Sequence, residues 1–211
     1  MDREPGKLPG LTFEEATENV KRNLEALGKP SQEERAKQEF LQVYRNTIGR
    51  NGKTALVEWL ENETDFFMAP ASRKHHLAQP GGLAIHSLNV YKRLLEITAR
   101  DTPKGVLVED TTETVAVLGL LHDVCKAGVY HQAEGGGYEF RDPFPLGHGE
   151  KSLFLITRHM ALTEEEALAI RWHMGAYDDA VKGGSRSMTE AMNLTPVGVA
   201  SAGGGYVRRL D

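Results

Sequence analysis

The chemical inventory of this chain is dominated by imidazole. It holds eight histidines, His75, His76, His86, His122, His131, His148, His159 and His173, and one of them is followed directly by an acid, Asp123. Four take marked positions on expected helices. His86 falls in the first turn and a half of one helix, and His122 with Asp123 closes the next. His148 opens a third, and His173 ends the one after it. Imidazole and carboxylate together suit a divalent transition metal, one or two ions of Mn, Fe, Zn, Co or Ni, better than Ca or Mg alone. With Asp123 bridging two ions, such a centre would activate a water and clamp both sides of a phosphoryl displacement. A carboxylate at the end of an apolar helix is costly unless paired or coordinated. A histidine taken singly is more often structural or superficial; His75, His131 and His159 are read so, as loop or surface residues.

Helices must position these groups. Thr12 with Glu15, and Ser31 with Glu34, have capping-box form, and each precedes an apolar row at helical spacing: Phe13, Ala16, Val20, Leu24 and Leu27, then Phe40, Leu41, Tyr44 and Ile48. Gly28 and Gly49 stop the two rows. They are expected to form an N-terminal helical cover over residues 1–52, with the chemistry-bearing domain over 53–211. A third helix is expected over about 54–62, and a loop over 66–80. Gly81-Gly82 opens a strong helix, followed by Pro103. The helix after it, from Thr111 or Thr112 to near Lys126 and Gly128, carries the run Val115–Leu121, apolar all round and therefore central. Tyr130-His131-Gln132 and Tyr138-Glu139-Phe140 flank a glycine turn, the pattern of a β-hairpin. Helices are expected over 147–160 and 164–174, the latter with a Thr163/Glu166 capping box, and over 189–202, interrupted by Pro196. Sequential helices with short connections pack antiparallel. The start of one then lies beside the end of the next, so His86 meets His122-Asp123 and His148 meets His173. The fold class is all-α, a helical bundle with a small β-hairpin excursion.

Composition narrows the function. The 211 residues suffice for one domain with a core and a small accessory segment. No apolar run approaches the ~20 residues of a membrane span. The start is not a secretory signal, and the single Cys125 fits a reducing compartment, so a cytoplasmic location is expected. Net charge of −5 gives no global attraction for nucleic acid. Lys and Arg cluster locally at Arg73-Lys74, Lys92-Arg93 and Arg208-Arg209, patterns most often found on solvated faces. Cys125 beside a histidine is an alternative nucleophile, though the apolar helix before it predicts a buried, inert thiol. Ser87 beside His86 is not a hydrolase pair, because adjacent helical residues diverge by about 100°.

Four segments in order carry a family resemblance: Gly81-Gly82-Leu83-Ala84-Ile85-His86-Ser87-Leu88, Leu120-Leu121-His122-Asp123-Val124-Cys125-Lys126, His148-Gly149-Glu150-Lys151-Ser152, and Ile170-Arg171-Trp172-His173. Across about 69–202 the chain resembles the HD superfamily of metal-dependent phosphohydrolases, bacterial and phage members included. The resemblance implies an HD-domain-like helical bundle that hydrolyses a phosphate ester, most often a nucleotide or nucleic-acid-derived substrate. It implies that His86, His122 and Asp123 bind a first metal, and His148 and His173 a second. Lys126, three residues beyond Asp123, would offer a cation to substrate phosphate, and His76 would approach the site to handle protons. Arg73 and Lys74 would be phosphate-binding candidates. The expected partner is a small-molecule phosphate ester, with a homodimer possible. The family usually adds a late aspartate ligand, and residues 196–205 contain no acid; Asp178 and Asp179, soon after His173, are candidate substitutes, though such residues usually occupy an exposed loop. A catalytically degenerate module that binds nucleotide without cleaving it is therefore the alternative reading.

Overall fold

The computed structural model describes residues 12, 14, 17, 18, 30–101, 109–144 and 146–178. The chain divides into two compact units, Met1–Ser31 and Gln32–Asp211. In the first, Glu14, Thr17 and Glu18 are helical; the rest of the helix expected over 13–27 lies outside the described residues, as does that expected over 189–202. The second unit contains six α-helices among its described residues: α1 (Gln32–Thr47), α2 (Lys53–Asn62), α3 (Gly82–Asp101), α4 (Glu109–Leu121), α5 (His148–Thr157) and α6 (Glu164–Trp172). Between α4 and α5 a two-stranded antiparallel hairpin leaves the bundle, β1 (Tyr130–Gln132) and β2 (Tyr138–Phe140), with Tyr130 opposite Phe140. No described helix is long and apolar enough to cross a membrane.

Helix α4 is the axis of the bundle. Val115, Ala116, Val117, Leu118, Leu120 and Leu121 are all buried, as a run apolar on every side requires. α1, α3 and α6 pack around it. The amphipathic row of α1 supplies Phe40 and Tyr44, both fully buried. Phe40, Phe66 and Phe67 form an edge-to-face cluster with centroids 5.2 Å apart, a favoured aromatic arrangement. Phe66 and Phe67 anchor the irregular segment before α3. That segment is tied to α3 by the Leu83 N–H, which donates to Ala69 O at 2.9 Å.

Two glycines set the closest helix approaches. A Cβ on Gly119 of α4 would lie 2.4 Å from the Tyr91 Cα of α3, and one on Gly149 of α5 would lie 2.1 Å from the Arg171 carbonyl oxygen of α6. Both obstacles are backbone or close to it, so neither contact tolerates a side chain without the helices separating.

The end of α4 differs most from expectation. α4 stops at Leu121 rather than near Lys126, and a tight 3-10 turn, Val124–Lys126, follows. Asp123 takes φ −107° and ψ 18°, outside helical geometry. In a continuous α-helix, His122 and Asp123 would project about 100° apart. The break lets them turn toward one point. Gly128, at φ 73°, then releases the chain into the hairpin.

At the other end of the bundle Arg50 joins the starts of α4 and α6. Its guanidinium donates to Glu113 Oε1 at 3.0 Å and to both carboxylate oxygens of Glu166. Glu166 is fully buried and also accepts from the Thr114 hydroxyl at 3.1 Å and the Thr163 N–H at 2.9 Å. With the Thr163 hydroxyl accepting from the Glu166 N–H, the expected capping box is complete.

Gly119→Ala should destabilise the protein by about 1–3 kcal/mol, the range for overpacking, and weaken metal retention, because it separates α3 from α4. Denaturant melts and metal content measure the two effects. Glu166→Ala should cost about 2–3 kcal/mol, the range for charged hydrogen bonds, with Arg50's partial exposure keeping it below a fully buried pair. Unchanged melts for both variants would refute this account of how the helix ends are held.

Candidate metal centre

Asp123 sits at the middle of the site, 2% exposed. The two oxygens of its carboxylate face two different histidine pairs. Oδ2 lies 3.2 Å from His86 Nε2 and 3.3 Å from His122 Nε2. Oδ1 lies 2.8 Å from His148 Nε2 and 3.4 Å from His173 Nε2. The His86 and His122 Nε2 atoms are 3.3 Å apart. Four elements meet here: α3 brings His86, the break after α4 brings His122 and Asp123, the N-terminus of α5 brings His148, and the C-cap of α6 brings His173. The antiparallel pairing expected for the two helical hairpins is what joins them. α5 is seated on the 3-10 turn by the Ser152 hydroxyl, which accepts from the Cys125 N–H at 3.2 Å.

The ring tautomers follow from backbone contacts. His122 Nδ1 is 3.1 Å from Gly119 O, and His173 Nδ1 is 2.7 Å from Ile170 O. A carbonyl only accepts, so each Nδ1 carries the hydrogen. In the neutral ring the Nε2 lone pair then points into the site, the arrangement by which second contacts orient metal-binding imidazoles. His173 Nε2 is buried and has no hydrogen-bond partner; its 3.4 Å approach to Asp123 lacks hydrogen-bonding geometry. A buried, unsatisfied nitrogen lone pair beside a carboxylate is unfavourable by itself and suited to a cation.

Distances make the same point. Two donors on one ion with bonds of about 2.1 Å lie about 3.0–3.4 Å apart across octahedral to tetrahedral angles. The 3.2–3.4 Å separations match those edges. The ligand atoms fall into two sets, His86, His122 and Asp123, and Asp123, His148 and His173, each within 4.8 Å. The donor chemistry therefore fits one or two divalent transition ions, with Asp123 common to both sets.

Charge is balanced locally. Burial by itself pushes the Asp123 carboxyl up, but the Lys126 ammonium, 2.7 Å from Oδ2, and the neighbouring histidines hold it well below the usual carboxylate range. Lys126 is raised in turn by Asp123, against the effect of burial. Burial pushes His122 down to about 4, against the pull of Asp123, so the ring is neutral near pH 7. Burial also pushes the Cys125 thiol up to about 12, which removes it as a nucleophile.

The remaining predicted residues are dispersed. His76 is exposed, yet its ring stands 5.5 Å from that of His86, at the edge of the centre. Arg73 and Lys74 are exposed and do not line the cavity beside the centre, although Arg73 is close enough to Tyr130 for its charge to act on the phenol. His75 and His131 are exposed, and His159 stacks on Trp59 at 5.0 Å. The cavity, about 260 Å³, is lined by Lys126 and His148 together with Tyr130, Asp142, Lys151 and Asp178. Of these last four, sequence reasoning singled out only Asp178, as a substitute for the late aspartate in an exposed loop; it is buried and paired with Arg171 instead. For Lys151 a signal existed: it follows His148 by three residues, so both share a helix face. For Tyr130 and Asp142 there was none, because packing alone brings the hairpin and the stretch after it to this wall.

A model of the HD domain family matches residues 83–201, more than half of the chain. No curated protein and no solved structure matches it.

Because the folded pKa of His122 lies below the ordinary imidazole value near 6.5, the unfolded chain takes up the proton first. The contribution is complete above about pH 6.5 and is lost as pH falls toward 4. Chelator-treated protein should therefore show a falling melting midpoint between about pH 6.5 and 5, above the carboxylate range. His122→Leu should flatten that slope, and an equal slope in both proteins would refute the assignment.

Proposed function

The chain belongs to the HD domain family, the metal-dependent phosphohydrolases, and on that premise we propose that it hydrolyses a phosphate ester at the histidine–aspartate centre. The observation that carries the reading is the Asp123 carboxylate, with one oxygen against His86 and His122 and the other against His148 and His173. Metal ligation is assigned to these five residues. A divalent transition ion held by them supplies Lewis acidity and an activated water.

The chain's own groups do the rest. Lys126 borders both Asp123 and the cavity, so its ammonium is placed to attract a phosphoryl oxygen. Burial keeps the His122 ring neutral with its Nε2 turned inward, ready to bind without losing a proton, and the His173 ring is turned the same way by its contact with the Ile170 carbonyl. His76, at the open edge near His86, is assigned to proton transfer with the leaving group. Arg73 and Lys74, on the exposed segment before α3, are assigned to outer contacts with the substrate. Nucleotides are the proposed substrates, in a cytoplasmic protein. α1, whose apolar row is buried in the bundle, is assigned to a cover within the same unit, and its exposed face to a dimer surface.

A second reading, a module that holds nucleotide without turnover, is favoured by one observation. Residues 196–205 contain no acid where the family usually has a late aspartate.

Elemental analysis by plasma mass spectrometry on wild type and His122→Ala, with a nucleotide phosphatase screen on wild type and Asp123→Ala, decides between them. Near-stoichiometric transition metal is expected in wild type and is lost in His122→Ala. Turnover should fall at least about a thousandfold in Asp123→Ala and cease with chelator. Metal with tight nucleotide binding and no turnover supports the second reading. Activity retained in Asp123→Ala sinks the first.

A further inference from the structure

Lys151 is a charged residue whose setting the metal centre does not explain. It lies on α5, three residues after His148, and is 6% exposed. It faces the same cavity as Lys126 and His148. Its Nζ reaches Asp142 Oδ1 at 2.5 Å. An ammonium has three donors, and among the described residues this is the one acceptor it meets. Burying an ammonium is costly unless its donors are satisfied. One carboxylate satisfies part of that need, and the cavity lies on the open side.

The two partners of this pair are held differently. Asp142 belongs to the irregular stretch between β2 and α5, where it also accepts the Phe144 N–H at 2.9 Å, whereas Lys151 is fixed on a helix docked to the 3-10 turn. An incoming anion can share or replace Asp142 at Lys151 while the lysine stays in place. Lys126 is already engaged with Asp123. Of the two lysines among the described residues lining the cavity, Lys126 is assigned to the phosphoryl group at the centre, which leaves Lys151 to meet another part of the ligand.

Resting on the phosphohydrolase reading, we propose that Lys151 is a specificity-determining residue: it binds a second anionic group, so the site prefers phosphate esters that carry another phosphate or a carboxylate. The Lys151–Asp142 pair then acts as a placeholder, with Asp142 standing where that second anion binds.

The test is equilibrium titration of manganese-loaded protein with non-hydrolysable ligands. Methylphosphonate carries one anionic group, ethane- and propane-bisphosphonate carry two phosphonates, and 3-phosphonopropionate carries a phosphonate and a carboxylate. In wild type, at least one two-anion ligand should bind about tenfold to a hundredfold more tightly than methylphosphonate, the range of a charge-assisted hydrogen bond. The order of the bisphosphonates and the phosphonocarboxylate identifies the second anion. In Lys151→Met that ratio should fall to about one with metal content retained, and Lys151→Arg should keep most of it. Asp142→Asn leaves the lysine intact and should raise the ratio several-fold, a check that stands even if Lys151→Met fails to fold. A ratio near one in wild type, an unchanged ratio in Lys151→Met, or a lowered ratio in Asp142→Asn overturns the proposal. Methylphosphonate binding without any two-anion preference overturns this proposal alone. Failure of every phosphonate to bind the metal-loaded protein overturns the phosphohydrolase reading, and this proposal with it.

Discussion

An ionised carboxylate buried at the meeting point of four elements is the constraint around which this protein is organised. Taking a carboxylate out of water costs several kcal/mol unless charge and hydrogen bonds replace the solvent. Asp123 meets that demand with the Lys126 ammonium at 2.7 Å and the His148 ring at 2.8 Å, and with the other three imidazoles close by. Each partner lies on a separate piece of secondary structure or at its end. The break after α4, the start of α5 and the end of α6 must all keep their places for the carboxylate to remain tolerable. The same requirement gathers a metal-binding donor set.

Precision at that point comes from contacts some distance away. Gly119 lets α4 rest against the Tyr91 backbone of α3, and its carbonyl accepts from His122. Gly149 lets α5 approach the Arg171 carbonyl of α6, next to His148 in sequence and two residues before His173. The glycines that close the two helix pairs thus sit within a turn of the ligands they bring together. At the far end, Arg50 and Glu166 fix where α4 and α6 begin. Helices anchored at one end and pressed together near the other have little freedom to slide, as a site accurate to a fraction of an ångström requires.

Among the described residues the β-hairpin is the only β structure, and it serves the cavity. Tyr130 and Phe140, opposite each other in register and in edge-to-face contact at 5.8 Å, form one wall. The turn that releases the hairpin is the one that sets Asp123 and Lys126. Site and cavity wall are thereby consecutive in the chain, and a change in the hairpin acts on substrate contacts without passing through the core.

Much of this was legible in local sequence. Helices were expected at all six positions: apolar spacing marked α1 and α3, the all-apolar run identified α4 as central, and the Thr163/Glu166 pair located the start of α6. The places of His86, His122, His148 and His173 at helix ends, with the antiparallel rule, were enough to pair His86 with His122 and Asp123, and His148 with His173; the meeting of the two pairs is decided by packing. Such features repeat over one or two turns, so a single sequence determines them. The end of α4 was not legible, since nothing local distinguishes a helix continuing to Lys126 from one that stops at Leu121 and tightens. Nor was the separation of Arg73 and Lys74 from the cavity, or the presence there of Lys151, Asp142, Tyr130 and Asp178. Those outcomes depend on how α5, the hairpin and the turn after α6 lie against one another. Sequence by itself determined which residues could bind a metal and which helix ends carry them. Tertiary structure decided which cations face the cavity, because packing between elements remote in sequence leaves no period to read.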